Sequence, residues 1–243
     1  MLRREVEMGQ CTAIVLAAGA GKRMQSAVAK QYMLLNDKPI LWYALHAFEK
    51  SDVIQKVVLV VGEGEISYCQ QEIVEKYGFS KVTDVIQGGA ERYLSVWEGL
   101  KCLEPVAGNY VFIHDGARPF VDEEIIRGAY DAVKEFGACV VGMPVKDTIK
   151  VADANGFAAR TPDRNTLWAV QTPQVFEEKL IYEAYKQLIE NLSEWLEKGL
   201  NITDDAMVLE TVMKKKVKLV KGSYENIKIT TPEDIFVAES FLK

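Results

Sequence analysis

Apolar positions recur along this chain in two rhythms. Continuous apolar runs at 13–16, 57–61, 110–113 and 139–143 read as strands, with 57–61 β-branched enough to be covered on both faces, and 82–86 reads as a further strand. Between them the spacing turns helical: Ile40, Leu41, Ala44, Leu45 and Phe48 form a stripe at i, i+4 intervals. Residues 67–77 predict a helix stopped by Gly78, 91–103 another, and 123–136 a third ended by Gly137. Near the end, 216–220 and 226–229 read as extended and a helix follows. Thr231 suits its N-cap, Pro232 its first position, and Glu233 and Asp234 its first turn.

Alternating strands and helices predict an α/β fold built on a doubly wound, mostly parallel, twisted sheet. No linker, repeat or low-complexity tract divides the chain, so 1–243 reads as one domain. The rhythm breaks only at about 144–168. There Thr148-Ile149-Lys150-Val151 and an Asn155-Gly156 turn signal predict a protruding β-hairpin arm. A hairpin is marginal alone, so a second copy of the chain, in a homodimer, is its expected partner.

Composition changes this picture little. A chain of 243 residues with 49% hydrophobic and 26% charged residues is ordinary for a globular protein. No apolar stretch reaches membrane-spanning length, and Met1-Leu2-Arg3-Arg4-Glu5-Val6-Glu7 lacks the apolar core of a secretory signal. Cys11, Cys69, Cys102 and Cys139 are scattered, which predicts reduced packing residues and a cytoplasmic address. With only His46 and His114 beside them, a protein-held metal is not expected. A net charge of −6 argues against a nucleic-acid partner but leaves room for a small polyanion in a locally basic cleft.

The candidate chemistry lies in the loops. The run Ala13-Ile14-Val15-Leu16 ends in Ala17-Ala18-Gly19-Ala20-Gly21, with Lys22, Arg23 and Lys30 following. Such a loop lets backbone approach a ligand closely beside positive charge, which suits a phosphorylated ligand. It is not a Walker A loop, because Arg23 follows Gly21-Lys22 where a hydroxyl is required and Leu16 stands where the first glycine belongs. Nor is it a dinucleotide fingerprint, because Met24 occupies the third glycine position. Three more segments predicted at strand ends carry glycine, polar or charged residues: Gln87-Gly88-Gly89-Ala90-Glu91-Arg92 with Ser95, His114-Asp115-Gly116-Ala117-Arg118-Pro119-Phe120, and Gln171-Thr172-Pro173-Gln174. Lys228 and Thr230 follow the last extended region. Ligands of open α/β sheets bind beyond the carboxyl ends of the strands, so these segments converge on one edge.

The first loop, with Lys30-Gln31-Tyr32, resembles the signature of nucleotidyltransferases that join an NTP to a sugar or alcohol phosphate. His114-Asp115 with Ala117-Arg118-Pro119, Asp163-Arg164 with Leu167-Trp168, Thr172-Pro173-Gln174 and Asn226-Ile227-Lys228 with Thr230 are similar, in order and spacing, to the 2-C-methyl-D-erythritol 4-phosphate cytidylyltransferase family. Ala90 departs from an acidic residue often seen in that family. The resemblance implies a Rossmann-like nucleotidyltransferase that transfers CMP from CTP to methylerythritol phosphate and releases pyrophosphate, with Mg2+ bound mainly through the CTP phosphates. Ala17, Ala18, Gly19, Gly21, Gly89 and Ser95 would hold the nucleotide. Arg23 and Lys30 would stabilise the transition state, with Arg164 and Lys228 also catalytic; Arg118, Thr148 and Thr172 would bind substrate, and Asp115 would bind substrate hydroxyls or ribose or sit near the metal. Thr148, Arg164 and Arg118 would act in the neighbouring subunit's site. The rival within the class is a ribitol-5-phosphate cytidylyltransferase, disfavoured by Ala17-Ala18-Gly19; the rival outside it is a non-catalytic nucleotide-binding module, disfavoured by Arg23 together with Lys30.

Overall fold

The computed structural model describes residues 9–19 and 29–242. Gly21 and Arg23 of the first loop therefore lie outside the described residues. The chain opens with β1 (Cys11–Ala17), and a short 3-10 turn (Lys30–Tyr32) leads to a small hairpin of β2 (Leu34–Leu35) and β3 (Lys38–Pro39). Then come α1 (Ile40–Lys50), β4 (Lys56–Val61), α2 (Ile66–Tyr68), β5 (Val82–Gln87), α3 (Arg92–Lys101), β6 (Tyr110–Asp115), α4 (Glu123–Phe136) and β7 (Ala138–Pro144). The arm holds β8 (Val151–Ala152) and β9 (Ala158–Arg160). The chain returns through β10 (Trp168–Glu177), α5 (Glu178–Glu190), α6 (Leu192–Glu197), α7 (Asp205–Val212), β11 (Lys218–Lys221) and α8 (Pro232–Phe241).

The main sheet has seven strands in the order β11-β7-β10-β6-β1-β4-β5. β10 runs antiparallel to β6 and β7, while the other pairings are parallel. Along β1 the side chains alternate as the pleat requires. Ala13, Val15 and Ala17 join a core with α1 and α4, and Ile14 joins the opposite core with α3, α5 and α7. The five α1 stripe positions are all buried, and Ile40, Leu41, Leu45 and Phe48 are each worth about 1.5–3 kcal/mol relative to exposure. A smaller cluster of Leu35, Ile40, Ile229 and Ala238 seats α8 under the β2–β3 hairpin. After β5 the chain crosses back over β1 to lay down β6, so β1 and β6 flank the switch point of the sheet.

The helix ends match their residues. Asp122 accepts the Ile125 N–H at 2.8 Å to start α4, and Gly137 ends it at φ 74. The Thr231 N–H donates to Asp234 at 2.8 Å where α8 begins. Some expectations need correction. Residues 226–229 are not a strand, because single hydrogen bonds to Arg118 and Ala117 hold them instead of a ladder. Gln171-Thr172-Pro173-Gln174 is not a loop after the hairpin; it lies inside β10, where the register with β7 shifts between Val170 and Gln174. The helix expected at 67–77 is α2 continued by a π-helical stretch (Cys69–Glu75) before Gly78 at φ 68.

Candidate active site

At the end of β1, Ala17, Ala18 and Gly19 open onto a cavity of about 470 Å3, a size typical of small-molecule sites. Gly88, Gly89 and Ser95, at the β5–α3 junction, line it from one side. Lys30 and Lys228 also face it. Two anchors set the turn that carries Lys30. Gln31 donates from Nε2 to the Ala17 carbonyl at 2.5 Å, and the Tyr32 hydroxyl donates to Glu65 at 2.7 Å. The Gly88–Gly89 loop lies close to its neighbours. A Cβ on Gly88 would stand 2.8 Å from the Ala18 Cβ, and one on Gly89 2.4 Å from the Leu94 Cβ. The packing leaves no room for a side chain at either position, so backbone N–H and C=O groups form this part of the wall.

A second cavity of about 430 Å3 adjoins the first. Arg118, Trp168, Gln171, Thr172, Thr203 and Asp204 contribute to it, while Arg92, Asp115 and Lys228 line both cavities; Arg118, expected to serve the neighbouring subunit, thus faces its own chain's site, held there by the Asn226 carbonyl. Asp115, the last residue of β6, is the hub of that shared wall. Its carboxylate lies 2.8 Å from Lys228 Nζ, 3.4 Å from Arg92 Nε and 3.8 Å from Arg118 Nε. Burial alone would raise its pKa, but the Arg92, Lys228 and Arg118 cations hold it well below the usual carboxylate range. Arg118 Nε is buried without a hydrogen-bond partner, and the Asp115 carboxylate 3.8 Å away is its counter-ion.

Thr172 reaches this wall from within β10. Its hydroxyl oxygen accepts the Asp115 N–H at 3.1 Å and stands 3.0 Å from His114 Nδ1. His114 Nε2 lies 3.1 Å from the Arg118 carbonyl, which can only accept, so Nε2 carries the ring proton and Nδ1 accepts from Thr172. Burial pushes the His114 pKa down to about 4. This imidazole is neutral, saturated and enclosed, so it orients Thr172 and does not act as a base.

Thr148 and Arg164 do not join these residues within one chain. Both are exposed on the arm and line neither cavity. Arg164 donates to the Lys146 carbonyl at 2.8 Å, while Asp163 caps the short turn Arg164–Thr166 by accepting from Asn165. Sequence reasoning gave no role to Arg92, Gln31 or Asp205. Arg92 stands three residues after Gly89 at a helix start, and Gln31 sits beside Lys30. Asp205 follows an N-cap aspartate, Asp204, which accepts the Met207 N–H.

The switch point thus presents backbone toward one cavity and cations toward both, and His114 offers no free base. That arrangement attracts phosphates, and the fold and site define a Rossmann-like nucleotidyltransferase. A family model described as 2-C-methyl-D-erythritol 4-phosphate cytidylyltransferase matches residues 11–243, and the chain belongs to that family. Curated relatives of that name from Lachnoclostridium phytofermentans and Lachnospira eligens are each 50% identical, over 97% and 96% of this chain and 97% and 99% of theirs. A solved 4-diphosphocytidyl-2C-methyl-D-erythritol synthase from Anaerococcus prevotii is 33% identical with a TM-score of 0.81, covering 98% of this chain and 97% of that one.

Proposed function

We propose that this chain transfers CMP from CTP to 2-C-methyl-D-erythritol 4-phosphate, giving 4-diphosphocytidyl-2-C-methyl-D-erythritol and pyrophosphate, a step toward isoprenoid precursors. The observation that carries the reading is the wall of Arg92, Asp115 and Lys228 shared by two adjoining cavities, in a chain that matches the family from residue 11 to 243. The nucleotide would occupy the cavity lined by Ala17–Gly19 and Gly89, and the acceptor phosphate the one lined by Arg118 and Thr172.

An oxygen of the acceptor phosphate forms the new bond to the α-phosphorus of CTP, and the bond from that phosphorus to the β-phosphate bridge breaks. Pyrophosphate carries away the electron pair. The attacking phosphate is already ionised, with a second pKa near about 6, so no base is required. The protein's work is positioning and charge stabilisation, assigned in this reading to Lys30, Arg23 and Lys228.

Asp115, the carboxylate shared by both cavities, is already committed to three cations. That donor set fits Mg2+ held mainly through the triphosphate, where it would neutralise phosphate charge. We read the protein as a cytoplasmic homodimer whose arm supplies Thr148 and Arg164 to the partner's site. Four unpaired cysteines support a reducing compartment, and exposed Thr148 and Arg164 support the shared site. No described helix is long and apolar enough to cross a membrane.

Pyrophosphate release from CTP, measured with methylerythritol phosphate and ribitol 5-phosphate in parallel, tests the reading. Rapid release is expected only with the first. Equal release with ribitol 5-phosphate, or none with either, overturns it.

A further inference from the structure

Arg92 is the first residue of α3, three residues past Gly89, and it lines both cavities. Its fork is used asymmetrically. Nη1 and Nη2 donate to the two carboxylate oxygens of Asp205, each at 2.8 Å, while Nε reaches Asp115 at a looser 3.4 Å. The rigid, bidentate side thus faces away from the reacting groups, and the single N–H faces them.

Asp205 is fully buried and held from three elements. It opens α7, the Tyr185 hydroxyl of α5 donates to its Oδ1 at 2.5 Å, and its own N–H donates to Gln174 of β10 at 3.0 Å. Gln174 also accepts the Ala206 N–H at 2.8 Å and donates to Asp204 at 3.0 Å. A carboxylate fixed this thoroughly gives the guanidinium one position. Buried ion pairs are weak contributors to stability, and apolar residues of similar volume often replace them at no loss. The pair's place in the wall between two ligand cavities is better explained by what it aligns.

We propose that Arg92 is a positioning residue for the transfer: clamped by Asp205, it fixes the Asp115 carboxylate, and Asp115 in turn fixes the Lys228 ammonium between the two cavities. The chain Asp205–Arg92–Asp115–Lys228 runs from α7 through α3 and β6 to the loop before α8. It makes the placement of Lys228 depend on a residue that lines neither cavity. This inference rests on the cytidylyltransferase reading, which gives Lys228 a share of the charge stabilisation.

A double-mutant cycle on the full chain tests it. Asp205→Asn keeps the volume and leaves Tyr185 an oxygen to donate to, but loosens the clamp. In the wild-type background kcat should fall by up to about 100-fold, the scale of an ångström-sized misplacement, with KM for CTP changed by less than about threefold. In a Lys228→Met background the same substitution should change kcat by less than about threefold, because its effect passes through Lys228. Additive losses overturn the proposal. So does a variant that melts earlier but keeps wild-type kcat, since that is what a purely structural pair would give. If Asp205→Asn does not fold, Arg92→Lys, which keeps the cation and lacks the fork, takes its place in the cycle with the same expectations. Wild-type protein that releases no pyrophosphate overturns the function reading instead. Active wild-type protein with unaffected variants overturns only the role of Arg92.

Discussion

The Lys228 ammonium lies 2.8 Å from the Asp115 carboxylate, although Lys228 comes from the loop before the last helix and Asp115 from the end of a central strand. That contact gathers the late part of the chain onto the switch point. Asp115 is also the common counter-ion of Arg92 and Arg118. Asp115→Asn should therefore leave Lys228 and Arg118 without a counter-ion, while Arg92 keeps Asp205, and lower unfolding stability by about 3–5 kcal/mol, as loss of one partner from a buried ion cluster does. Urea unfolding at neutral pH measures this, and an unchanged midpoint would mean that solvent screens these cations.

Lys30→Ala should fold normally, because Gln31 and Tyr32 supply the anchors of its turn. It should lose roughly 2–4 kcal/mol of transition-state stabilisation, the range for one pre-organised electrostatic donor. Single-turnover rates with both substrates saturating read this directly, and a near-normal rate removes Lys30 from the chemistry.

Gly89→Ala would press a methyl group to 2.4 Å from the Leu94 Cβ and force the β5–α3 loop outward. KM for CTP should rise by about tenfold or more, as a loss of roughly 1.4 kcal/mol or more implies, while KM for methylerythritol phosphate changes little. Equal rises in both would place the loop outside the nucleotide cavity.

Stability should fall on mild acidification. Folded His114 titrates at about 4, because burial disfavours its charged form, whereas an unfolded histidine titrates near about 6.5. Between those values the unfolded chain binds more protons, so stability declines as the pH drops through the window, by up to about 3 kcal/mol. His114→Gln cannot titrate and should flatten this part of the curve. Parallel pH profiles of the urea midpoint would count against the assignment.

Mixing Lys30→Ala chains with Arg164→Ala chains examines the shared site. If Arg164 serves the partner, one site of each mixed dimer carries both defects and the other carries neither. Activity should then rise above that of either parent. Verified mixed dimers without recovery would confine Arg164 to its own subunit or remove it from the reaction.

Where a residue type has one strong local preference, the chain could be read directly. The α1 stripe, Gly137 after α4, and Thr231-Pro232 before α8 all sit where periodicity and capping chemistry put them. The Ala17–Gly19 and Gly88–Gly89 loops were legible as backbone meant to approach a ligand. β10 was not, because Pro173 interrupts its alternation and its bulge turns Thr172 toward Asp115. Helix α5 was within reach: Ile181, Ala184, Tyr185 and Leu188 recur at helical spacing and are all buried. The Asp205–Arg92 clamp depends on contacts between residues far apart in sequence, for which local pattern carries no signal.

The arm leaves the sheet at Pro144 and returns at Trp168, and these two residues are paired neighbours in the β7–β10 ladder. Its exit and re-entry are thus already stitched together by the sheet it departs from. The closure cost of such an excursion grows slowly, by about 0.6 kcal/mol for each doubling of its length. The arm can therefore be shortened, lengthened or exchanged as a cassette while strand order and the Asp115 wall stay as they are. The arm's own sequence can diverge at a different pace from the chemistry beneath it.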